Sequence, residues 1–211
     1  MPRSRTFATI ITVALLVRTS SASQQEAPPN LESQVRTQVI SLMREDSELQ
    51  LTARVMGVGD PDAVMSVLLE ILQRNKLATP GTLEYGELCG SIIVLGNLKE
   101  RRALPILLKL ALPEVRSKDN EYLRSVVVKM LGMIDPVASR DTLVTVLKTD
   151  EQWYLRRQAA DILSQIPDPQ VLQELDVAAS KESGSPNERR MIQEDADALR
   201  TRLAGATNKP K

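Results

Sequence analysis

The sequence predicts an all-α solenoid of about four helix pairs, with a capping helix at each end. Three observations predict it. Aromatic residues make up only 2% of the 211-residue chain, so a core has to be built from Leu, Val, Ile, Ala and Met, the side chains that pack helix on helix. Stretches of strict apolar–polar alternation, the mark of a half-buried strand, are scarce. A compact pattern also recurs about every three dozen residues: an apolar helical run closing on Gly or Ser, a polar turn, then a second apolar run.

Residues 1–23 precede the fold and read as a secretory signal peptide. Arg3 and Arg5 supply the positive start, the run from Phe7 to Val17 is apolar, and small residues follow at Ser20, Ser21, Ala22 and Ser23. The 11 residues of the apolar run fall short of the roughly 20 needed to span a bilayer. The expectation is export, periplasmic or extracellular, with cleavage after Ala22 or Ser23 and no membrane segment in the mature chain. Residues 24–30 (QQEAPPN) read as a Pro-rich linker. An amphipathic helix over 31–45, carrying Leu31, Val35, Val39 and Leu42, then caps the start of the stack.

Four helix pairs follow, predicted at 47–57 with 61–74, 84–96 with 101–111, 120–132 with 136–148, and 151–164 with 169–181. Their first helices end at Gly57, Gly96, Gly132 and Ser164, spaced by 39, 36 and 32 residues. Glycine at such an end is expected to take the left-handed conformation. Pro61, Pro136 and Pro169, each beside Asp, are expected to start the second helices.

The columns also match. Two residues before each anchor stand Val55, Val94, Met130 and Ile162. Seven after it stand Val64, Ala103, Ser139 and Val171, eleven after it Leu68, Leu107, Leu143 and Leu175, and fifteen after it Leu72, Ala111, Leu147 and Ala179. The last three columns are four residues apart, one stripe on the second helix. A charged helix at 187–203, entered through Ser185-Pro186-Asn187-Glu188, is the expected second cap. The fold therefore spans 31–204, and 205–211 is expected to be a disordered tail.

The best copies are YLRRQAADILSQIPDPQVLQEL (154–175), YLRSVVVKMLGMIDP (122–136) and LCGSIIVLGNLKERRALPILLKLAL (88–112). These units resemble HEAT repeats, in the variety also seen in phycobilisome-lyase-like proteins, over roughly residues 47–181. The early Arg of the pattern stands at Arg124 and Arg156 and is missing from the 88–112 copy. The resemblance implies a stack of helix pairs with an extended concave surface. It implies little about function, because a fold does not carry an activity by itself.

The inventory narrows the chemistry. The chain has no His and one Cys, which removes His-based acid–base catalysis, Ser–His–Asp triads, His-ligated zinc and an intramolecular disulfide. Without Arg3, Arg5 and Arg18 of the leader, 24 Lys and Arg face 27 Asp and Glu, a net charge of about −3, with no bulk pull toward nucleic acid. No cofactor or metal site is expected.

Arg124 and Arg156, with Asp135 and Asp168, admit two readings, an anion-binding ladder or bridges between repeats; the second is favoured because recurrence by repeat is structural. Arg101-Arg102, Arg156-Arg157 and Arg189-Arg190 read as solvated basic pairs. Glu182, Glu188, Glu194, Asp195 and Asp197 read as a wet helix face rather than a Ca²⁺ loop. Cys89 shares its column with Ser125 and Arg157, which places it away from the deep core.

The expected function is a non-enzymatic protein–protein scaffold. Its partner would dock on the face built by the second helices, with Glu70, Arg74, Lys109, Arg140, Lys148 and Glu174; the aromatics Trp153, Tyr154 and Tyr122 admit two readings, hot spots for the partner or wedges between adjacent repeats, and the second is favoured. The mixed charge of that face favours a protein partner. Oligomeric state is open at this point, and an enzyme subunit of the chromophore-lyase kind is the alternative that the resemblance implies.

Overall fold

The computed structural model describes residues 30–40, 47–112, 120–182 and 185–207, among which there are ten α-helices and no strand. They are α1 (Leu31–Ile40), α2 (Glu48–Met56), α3 (Pro61–Asn75), α4 (Leu83–Asn97), α5 (Leu104–Leu110), α6 (Glu121–Ile134), α7 (Arg140–Thr149), α8 (Trp153–Ser164), α9 (Pro169–Lys181) and α10 (Pro186–Thr207). The leader, residues 24–29 of the linker, the end of the expected first cap and residues 208–211 lie outside the described residues.

The helix starts follow from their side chains. Ser47 and Gln50 satisfy each other's backbone N–H groups at the head of α2, a reciprocal capping box. Asp60 accepts from the N–H groups of Asp62 and Ala63 with Pro61 in the first turn, and Asp168 accepts from Gln170 ahead of α9. Ser185 and Glu188 repeat the box at α10. Pro136 behaves differently. Asp135 accepts from the N–H of Ala138 at 2.9 Å, which closes residues 136–139 into a turn, and α7 begins only at Arg140. A 3-10 turn at Arg101–Ala103 likewise precedes α5.

The anchor glycines do a different job from the one expected. Gly57 caps α2 at φ −77°, in the right-handed region. After α4 the residue with positive φ is Lys99. Gly96 and Gly132 instead let neighbouring first helices close on each other. A Cβ at Gly132 would meet three carbons of Ile162 at 2.8–2.9 Å, and one at Gly96 would collide with Met130. Gly96 and Gly132 are thus the seats for the apolar residues two positions before the next anchor, Met130 and Ile162.

All sixteen residues of the four matched columns are buried, so the repeat is one continuous core. Second helices pack most closely on the first helix of the next pair, α3 on α4, α7 on α8 and α9 on α10. First helices also stack on one another, α4 on α6, α6 on α8 and α8 on α10. Helix α4 is buried on every residue from Tyr85 to Gly96, because α1, α2, α3 and α6 surround it. Val39 of α1 sits where a Cβ on Gly90 would stand.

Helix α10 is more than a lid. Its buried residues Ile192, Asp195, Ala196 and Leu199 repeat, 33 residues on, the buried Ala159, Ile162, Leu163 and Ile166, and those in turn repeat Val127, Met130, Leu131 and Ile134. Its next-unit face is polar, with Gln193 and Asp197 where α8 has Ala160 and Ser164, as a terminal repeat requires. The helix runs to Thr207, into the residues expected to be a tail.

Candidate binding surface

Second helices place four of the expected contact residues, Glu70, Arg74, Lys109 and Lys148, in the solvent, with Arg140 and Glu174 half-buried. Much of this charge is engaged within the chain. Arg74 pairs with Glu32 of α1 at 2.8 Å, Arg140 with Asp168 at 2.8 Å, and Lys148 with Glu174 at 2.6 Å. The last two pairs bridge a groove between α7 and α9 that Val144 and Ala178 line with them.

Trp153 and Tyr154 stand apart from the second-helix face. They open α8 at the edge where a second helix hands over to the next first helix. Their rings meet edge to face at 6.5 Å, and the Tyr154 hydroxyl donates to Glu121 at 3.3 Å. Of the rest of that edge the sequence reading singled out Tyr122 and missed Leu77 and Leu83. Leu77 and Leu83 are 82% and 67% exposed on the approach to α4, Tyr122 is 54% exposed at the start of α6, and Trp153 is 41% exposed. An apolar residue outside the buried stripe at the head of successive first helices was the signal available.

Beneath this edge lies a set of buried ion pairs. Arg124 pairs with Asp150, and 26 residues is also the separation between Arg156 and Glu182, which meet through two bonds of 2.8 and 2.6 Å. Each acid ends the second helix of its arginine's own pair. Arg156 also donates to the carbonyl of Asp150 at 2.9 Å, and Arg189 of α10 does the same to Glu182 at 2.9 Å. In the first unit α1 contributes the arginine: Arg36 and Asn75 both donate to the buried Glu87, at 2.7 and 2.8 Å.

The opposite edge has its own series, Arg101 with Asp135 and Arg140 with Asp168. Both aspartates are held below the usual carboxylate range, first by a backbone N–H, of Ala138 and Gln170 respectively, and then by the arginine. The arginines are therefore bridges between helices. The basic pairs are partnered too: Arg102 by Glu100, Arg157 by Asp195 and Arg190 by Glu194.

Cys89 is a core residue, 3% exposed. Its column-mates on α6 and α8 are partly exposed, but α4 is surrounded on all sides, which is why the column misled. Burial pushes its thiol up to about 12, and the Tyr85 hydroxyl beside it to about 12 for the same reason. Among the described residues no three Cys, Asp or Glu side chains are grouped to hold a metal ion, and no helix is long and apolar enough to cross a membrane.

Residues 108–194, from the middle of α5 into α10, match the family model described as HEAT repeats. HEAT repeats are what this segment is similar to. The match takes in both Arg-bearing HEAT copies, 122–136 and 154–175, and only the end of the copy at 88–112. No curated protein and no solved structure matches the chain.

Proposed function

We propose that this chain is an exported, non-catalytic scaffold that binds a partner protein on the surface of its HEAT-repeat solenoid. Export rests on the arrangement of residues 1–23, and HEAT repeats commonly serve as protein-interaction scaffolds. The observation that carries the reading is that Leu83, Tyr122 and Trp153 stand exposed at the heads of α4, α6 and α8, with Leu77 exposed in the loop ahead of α4. Large apolar and aromatic side chains left in water on successive repeats form the kind of patch that marks an interface. The second-helix face offers Glu70 and Lys109 as exposed flanking charges, and its mixed sign suits a folded protein rather than a polyanion.

The test is co-purification of the processed chain with its partner from the exported compartment, beside a Tyr122→Ala/Trp153→Ala variant. A stoichiometric partner that the variant loses supports the proposal. Failure to recover any, or equal recovery by the variant, removes it. The likeness to phycobilisome-lyase-like proteins provides the alternative of a chromophore-lyase subunit, and visible absorbance after incubation with a bilin tests it; the scaffold reading expects no spectral change.

A further inference from the structure

We draw no further inference here: the strongest candidate, the exposed apolar surface patch of Leu83, Tyr122 and Trp153 at the heads of α4, α6 and α8, belongs to the binding surface already described, and nothing in the structure shows what covers it.

Discussion

Gly132 and Gly57 look alike in the sequence, each closing a first helix, and the structure separates them. Gly132 has Ile162 against it and Gly57 has only carbonyls of its own helix, at 3.3 and 3.4 Å. Gly132→Ala is expected to cost roughly 1–3 kcal/mol through overpacking. Gly57→Ala, at a right-handed φ, should stay within about 0.5 kcal/mol, as a substitution away from strain and core does. Urea unfolding of the two variants checks this, and equal losses would contradict the assignment. Arg156 makes a contrasting case. Its loss takes both of its bonds away from the buried Glu182, so Arg156→Ala should cost about 3–5 kcal/mol, the range for breaking a buried ion pair. In a double-mutant cycle, Arg156→Ala with Glu182→Gln should recover part of that. That these arginines are internal ties was legible in their recurrence, but their partners were not: Arg124 and Arg156 pair with Asp150 and Glu182 of their own helix pairs, while the turn acids Asp135 and Asp168 go to Arg101 and Arg140. The depth of Cys89 was not, because a column describes one helix and α1 comes from outside the repeat.

At the scale of the element, most starts were legible because Ser, Asp and Pro carry their own hydrogen-bond logic. The head of α7 was not, since Asp135 can cap a closed turn as well as a helix, and only the packing of Ser139 into the core decides between them. Helix α10 was legible as a charged cap but not as a fifth first helix. Its column residues are Ile192, Asp195, Ala196 and Leu199, and the aspartate hides the match. Helix α1 completes α4 by covering Gly90 and neutralising Glu87. Deleting residues up to 40 should therefore leave the Glu87 carboxylate without its counter-charge, held by Asn75 alone, and an apolar helix open to water. The expected outcome is a large loss of stability or aggregation, seen by thermal unfolding and light scattering. A truncated chain as stable as the parent would show that α1 is only an appendage. Within the second helices, Leu143→Ala should cost about 2–5 kcal/mol, the range for emptying a buried leucine site.

The whole molecule is a stack in which each helix pair lends its apolar stripe to its neighbours, so the core is shared and the surface is left for recognition. Fold class was readable from the period and the matched columns. The binding surface was readable only in part. The second-helix charges are largely paired within the chain, and at the exposed edge only Tyr122 and Tyr154 share a column, while Leu77, Leu83 and Trp153 carry no periodic signal. Photo-cross-linking in cells through an unnatural amino acid tests the scaffold reading most directly. A cross-linker at Tyr122 or Trp153 is predicted to give one adduct of discrete mass, and one at Asp161 on the exposed side of α8 is predicted to give none. Adducts from neither position, or equal adducts from both, would contradict it.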